Sequence, residues 1–283
     1  MKRITDTRIF IDGGDPEETA QAKRLLGYID GQTTNPSLVA KNPEIKARME
    51  QGDKLTREEL LASYRKIVRG IAAFTPGPIS IEVYADASTT SREMITQARD
   101  MTSWVPQAVV KLPTTVIGLE AATSLCREMR LNLTLCFSQE QAAAVYAATK
   151  NAVEPVFVSP FLGRLDDRGE NGVDLVANIL RLLAKGDGHV HVLAASIRSV
   201  DHILACLHLK VPALTLPFRV FSQWAERGFP LPDRNDVYRS ALQPIPFKKT
   251  ITLDAPAMSY DVRHPLTDAG LKKFADDWNA LLK

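Results

Sequence analysis

The 283-residue chain is 45% hydrophobic and 24% charged, with a formal net charge of +2: the profile of a soluble globular protein large enough to bury a substantial core. So near-neutral a charge gives no electrostatic case for a nucleic-acid partner or a membrane surface, and no apolar run is long enough to span a bilayer. Cys126, Cys136 and Cys206 are widely spaced among apolar residues and Met1 to Asp6 lacks the apolar core of a signal peptide, so reduced core thiols and a cytoplasmic location are expected.

Short β-type runs alternate with helical patterns along the chain. The runs are 8–12, 28–35, 79–83, 108–112, 131–135, 155–159, 191–194 and 213–216. Helix formers occupy 16–26, 56–74, 88–104, 118–129, 139–150, 172–185 and 200–209. About eight strands in strict alternation with helices over roughly 250 residues match a single (β/α)8 TIM barrel. A doubly wound open sheet would need a glycine-rich phosphate turn after its first strand, and Asp12-Gly13-Gly14 lacks that spacing. Residues 1–283 therefore read as one barrel domain, with 226–283 as a C-terminal strap and helix. An insertion spans 42–74, opening on a charged stretch with Pro43 and Gly52 that leads into a long amphipathic helix. The proline-rich segment 226–264 reads as a tail strapped to the barrel's outside, and Thr267 as the cap of a final helix running to 282. That tail suits either a homo-oligomer contact or an intramolecular strap.

In a barrel, catalytic groups sit at the carboxyl ends of the strands. Asp12 ends the first run, and Glu82 shares a face with Ser80. Lys111 lies between Val110 and Leu112, Asn132 and Thr134 alternate with leucines, and Ser159 and Ser196 close the sixth and seventh runs. One polar residue at a strand end is ordinary capping; a ring holding a lysine and two carboxylates is a polar mouth. Burial favours the uncharged amine of a lysine, and a neutral amine in a dry pocket attacks carbonyls to form a Schiff base. A lone strand lysine would instead read as snorkelling to water. His189 and His191 have metal-ligand spacing but sit at the amino end of their strand, where parity turns both rings toward the helices as structural groups. Trp104, Trp224 and Trp278 lie in helix-like segments and read as core or interface. No metal site and no cofactor are expected.

The motifs add up to a resemblance. Thr33-Thr34-Asn35-Pro36-Ser37-Leu38, Ile81-Glu82-Val83, Val110-Lys111-Leu112-Pro113, Asn132 to Ser138, Ser159 to Arg164 and Ala195 to Arg198 occur in order. Together they resemble the transaldolase family, Schiff-base (β/α)8 enzymes acting on sugar phosphates. The resemblance implies that Lys111 forms the imine, that Glu82 and Thr134 handle a catalytic water, and that Asp12 is the general acid/base. It implies that Asn35 and Asn132 hold donor hydroxyls or orient Lys111, and that Arg164, Arg198 and Ser196 bind the phosphate. Ser159 and Phe161 complete the substrate-binding set. Small-molecule sugar phosphates are the partners this implies.

Each role has a physical case. Aldol cleavage needs an electron sink, which a protonated imine supplies, and a base for the departing hydroxyl. A phosphate dianion wants planar guanidinium forks. The bland alternatives are a core ion pair between Glu82 and Lys111 and surface salt bridges for the arginines. The resemblance also frames the choice between transfer and cleavage. The aldolase branch tends to carry glutamine at Glu82 and tyrosine at Phe161, so the transaldolase reading is favoured here. Fructose-6-phosphate aldolase activity is the runner-up, and a non-catalytic sugar-phosphate-binding barrel the remote alternative.

Overall fold

A computed structural model describes residues 3–233, 236 and 238–283. Eight parallel strands close into a barrel in chain order. They are β1 (Arg8–Asp12), β2 (Gly31–Thr33), β3 (Ile79–Glu82), β4 (Ala108–Pro113), β5 (Leu131–Cys136), β6 (Val156–Pro160), β7 (Val190–Ala194) and β8 (Ala213–Pro217). Around and over it lie α1 (Pro16–Leu26), α2 (Pro36–Ala40), α3 (Pro43–Glu50), α4 (Arg57–Ala72), α5 (Ser91–Met101) and α6 (Val116–Leu125). They are followed by α7 (Gln139–Ala148), α8 (Leu162–Asp166), α9 (Gly172–Leu183), α10 (Val200–His208), α11 (Phe218–Glu226) and α12 (Pro265–Asn279). The expected (β/α)8 architecture is therefore present.

Helix starts follow local chemistry. Thr56 and Thr90 form capping boxes with Glu59 and Glu93, and the side chains of Asp15, Asn42, Thr115, Ser138 and Ser199 each accept from a first-turn backbone amide. Inside the barrel, Phe10, Val109, Phe157, Leu193 and Ala213 form a dry layer apart from the core between sheet and helices. Phe10 and Phe157 meet edge-on at 5.9 Å. Gly31 makes room for this, since a Cβ there would stand 2.7 Å from the Phe10 ring. The apolar layer closes the floor of the site, so polar groups one pleat further on face the carboxyl mouth.

Several expectations need correction. The second run shrinks to a three-residue strand, because the residue before Pro36 leaves the ladder and caps α2 instead. Helix α4 is the crossover between β2 and β3, so only α2 and α3 are additions. Helices α2, α3, α8 and α11 are further elements that the alternating pattern of the sequence does not mark. Thr267 does not cap the last helix: His264 does, with Pro265 in the first turn, and Thr267 is buried. His191 points into the barrel and not toward the helices, pairing in register with Phe157 and lying 3.5 Å from Arg8. His189 does face the helices, against Tyr146 and Thr149. Trp224 and Trp278 lie in α11 and α12, while Trp104 falls just beyond α5; all three are buried.

The tail is an intramolecular strap. Its backbone bonds the α8–α9 turn through Gln243 and Asn171, the side chain of Gln139 bridges Pro246 and Lys248, and Ile251 packs between α7 and α9. It then delivers α12 across the carboxyl end of the barrel, from β5 to α2. The cysteines are free and buried, and burial pushes the Cys136 and Cys206 thiols up to about 12. Among the described residues no helix is long and apolar enough to cross a membrane.

Candidate active site

Sequence alternation and strand register bring Asp12, Thr33, Glu82, Lys111, Asn132, Ser159 and Thr215 into one polar layer above the apolar floor. Glu82 pairs in register with Lys111, and Lys111 with Asn132. Lys111 is only 2% exposed, and its Nζ lies 2.9 Å from Glu82 Oε2 and donates to the Thr34 carbonyl at 3.1 Å. The core ion pair raised as a bland alternative is thus present, but it stands among the site's other groups. Burial raises the Glu82 carboxyl above the usual carboxylate range, against the pull of Lys111. Asp12 is raised for the same reason, opposed by Lys111 and by the hydrogen bond from Thr33.

Three more residues shape this layer: Tyr64 stands behind it, and Thr33 and Thr215 lie within it. Tyr64 on α4 holds β2 and β3 together: Thr34 Oγ1 donates to the Ser80 carbonyl, so the 2.5 Å contact with Tyr64 has the phenol as donor. The same phenol oxygen accepts from the Glu82 amide at 3.0 Å. Tyr64 therefore sets the backbone of both Glu82 and the lysine's carbonyl partner. Thr33 Oγ1 donates to Asp12 Oδ1 at 2.7 Å and meets Thr215 Oγ1 at 2.7 Å, giving Asp12 a side-chain support from two strands. Alternation could have found Thr33 and Thr215, which face the interior of their strands; nothing local marks Tyr64.

The remaining expected residues fall as follows. Asn132 donates to Ser80 Oγ at 3.0 Å and accepts from Ser159 at 2.7 Å, so its amide is held across three strands. Thr134 Oγ1 is buried and, among the described residues, has no hydrogen-bond partner, and such an atom in a site is one a substrate or water satisfies. Asn35 is buried at the mouth, its Oδ1 taken up by the cap of α2. The Phe161 ring centre lies 5.9 Å from Lys111 Nζ and 5.3 Å from the Arg164 guanidinium. Arg164 has no carboxylate in ion-pair contact among the described residues, and burial holds it below the usual guanidinium value. Arg198 differs: it is 47% exposed and bonds Asp167 at 2.9 Å, the surface pair anticipated as its bland reading. Ser196 is buried in left-handed backbone (φ 61°), and its carbonyl accepts from the Gly163 amide on α8.

A lysine, two displaced carboxyls and an unpaired guanidinium over one apolar floor make a site for carbonyl chemistry on an anionic substrate. A family model described as transaldolase/fructose-6-phosphate aldolase matches residues 9–283. The chain belongs to that family. Relatives in the transaldolase/fructose-6-phosphate aldolase family span almost the whole chain. It is similar to a probable transaldolase of Anaeromyxobacter sp. (strain Fw109-5), 35% identical over 277 residues, or 98% of this chain and 99% of that one. A probable transaldolase of Dehalococcoides mccartyi is 34% identical, covering 98% and 100% of the two chains. One of Heliobacterium modesticaldum is 32% identical, covering 97% and 98%. Among the described residues no group of three or more His, Cys, Asp or Glu is placed to hold a metal ion. Clefts of about 580 Å³ beside α10 and about 650 Å³ between α5, α6 and α12 are lined by none of these reactive groups.

Proposed function

We propose that the protein is a transaldolase, moving a dihydroxyacetone unit from a ketose phosphate to an aldose phosphate through an imine on Lys111. The observation that carries this reading is the buried Lys111 amine beside the Glu82 carboxylate at 2.9 Å, in one layer with Asp12. Glu82 takes a proton from Lys111, and the free amine adds to the ketone carbon. Loss of water, with proton transfers through Glu82 and Thr134, leaves the protonated imine. Asp12 then removes the proton of the C4 hydroxyl, the C3–C4 bond breaks, and its electron pair enters the imine to give an enamine. The aldose phosphate departs, an acceptor aldehyde takes its place, and the same steps run in reverse. Raised carboxyls support these proton-carrying roles. Arg164, with no carboxylate partner among the described residues, is the main phosphate ligand, with Arg198 at the rim.

Phe161 favours transfer over release. Its ring faces the lysine without a hydroxyl that would bring water or a proton to the imine. Coupled assays on fructose 6-phosphate, with and without erythrose 4-phosphate, test the proposal. Turnover should require the acceptor and persist in EDTA. Cleavage without acceptor as fast as transfer would put the fructose-6-phosphate aldolase reading in its place, and turnover that needs a metal would end the imine mechanism.

A further inference from the structure

Two aromatic rings lie beside the Arg164 guanidinium. Phe161 at the end of β6 offers one ring, 5.3 Å from the guanidinium carbon, and Phe274 on α12 offers a second at the same distance. One turn earlier on α12, Gly270 leaves the space the guanidinium fills: a Cβ there would stand 2.5 Å from Arg164 Nη1 and 2.6 Å from a Leu135 methyl. The helix is latched in this position. Thr267 donates to the Leu135 carbonyl at 2.9 Å and accepts from Gln141 at 2.8 Å. Leu135 itself is in left-handed backbone (φ 59°) where the β5–β6 register slips. At its far end α12 packs Trp278 against Tyr64, and Asp277 accepts from Ser37.

We infer that α12 completes the phosphate subsite: Phe274 and Gly270 are positioning residues that fix the Arg164 guanidinium, so that recognition of the phosphate depends on the docked C-terminal helix. A guanidinium resting against aromatic rings keeps N–H groups free while its position is fixed, the arrangement a bidentate oxyanion contact needs. With no carboxylate in ion-pair contact among the described residues, the two rings and the shape of Gly270 set its orientation. The helix thus works as a specificity element, although it lies more than a hundred residues from Arg164 in sequence. This inference rests on the transaldolase reading given above.

The test uses Phe274→Leu, which removes the ring face, and Gly270→Ala, which pushes on the guanidinium through a flexible side-chain end. Two quantities are read in each variant and in wild type. One is KM and kcat for fructose 6-phosphate with erythrose 4-phosphate present; the other is the rate of borohydride trapping at Lys111 by dihydroxyacetone, which has no phosphate. KM should rise roughly 2- to 30-fold, the span of cation–π contributions, while trapping by dihydroxyacetone stays at the wild-type rate. A KM that does not move in the folded variants overturns the inference, as does trapping that falls in step with it. Each variant is decided separately, so one that does not fold leaves the other to decide. Should wild type give no adduct at Lys111 with either sugar, the transaldolase reading itself has failed. An adduct in wild type with an unmoved KM refutes the positioning role alone.

Discussion

At the carboxyl end of the barrel Lys111 lies 2.9 Å from a carboxylate, whereas at the amino end Arg8 rests on the Phe157 ring, 5.0 Å from its centre, and 3.5 Å from His191. Burial acts on both. At the mouth it raises Asp12 and Glu82, favouring their protonated forms. At the floor it lowers Arg8 and His191, and the Arg8 charge lowers His191 further. A guanidinium over an aromatic ring is a fixed charge that cannot shuttle a proton, whereas a carboxyl beside an amine is an acid–base pair. The same architecture therefore makes a plug at one end and the proposed reactive centre at the other, and the difference lies in which cation is used and what it faces.

The largest effect should come from Asp12→Asn. Loss of the general base should lower kcat roughly 10²- to 10⁴-fold, with the fold intact by circular dichroism; a loss below about tenfold would remove Asp12 from the mechanism. The pH profile sharpens the point. A raised carboxyl keeps its proton to higher pH, so a step that needs the carboxylate fails early on acidification. The acid limb of kcat/KM should accordingly lie above the ordinary value of ~4 and belong to the Asp12 and Glu82 carboxyls as a coupled pair. A limb at ~4 would mean that burial at the mouth does not act as described.

Next come the arginines. Arg164→Ala should cost roughly 2–5 kcal/mol in kcat/KM for phosphorylated donors, the range for truncating one side of a buried charge pair. Arg198→Ala, at an exposed position already paired with Asp167, should cost about 1 kcal/mol. Equal losses would erase the distinction between them. Phe161→Tyr should be smaller in rate but change the outcome, raising dihydroxyacetone release from fructose 6-phosphate alone relative to transfer; an unchanged ratio would show that the ring does not set the fate of the intermediate. The smallest effect belongs to the floor. Arg8→Met should lower stability to urea by about 1 kcal/mol through the lost cation–π contact and leave kcat/KM untouched. A catalytic defect there would break the contrast between the two ends.

The barrel was legible because apolar alternation marks its strands and polar caps mark its helix starts. Lys111, Glu82 and Asp12 could be placed at the mouth by counting along strands, and the structure brings them together. Counting failed where the backbone leaves the pleat. Parity taken back from Ser196 turns His191 outward, but Ser196 lies beyond β7 in left-handed backbone, so alternation does not carry across it. Tyr64, Gly270 and Phe274 were beyond reach for another reason. Their roles come from helices docked by long-range packing, and no local pattern says which side chain α4 or α12 will lay against the site. Exposure likewise separated Arg164 from Arg198, which as sequence are equivalent arginines following neighbouring strands.

The most direct test of the central claim is borohydride reduction of the wild-type protein in the presence of fructose 6-phosphate, followed by peptide mass spectrometry. The account predicts a reduced three-carbon adduct on the peptide that contains Lys111, and none in Lys111→Met. An adduct on another lysine, or no adduct while the enzyme turns over, would contradict it.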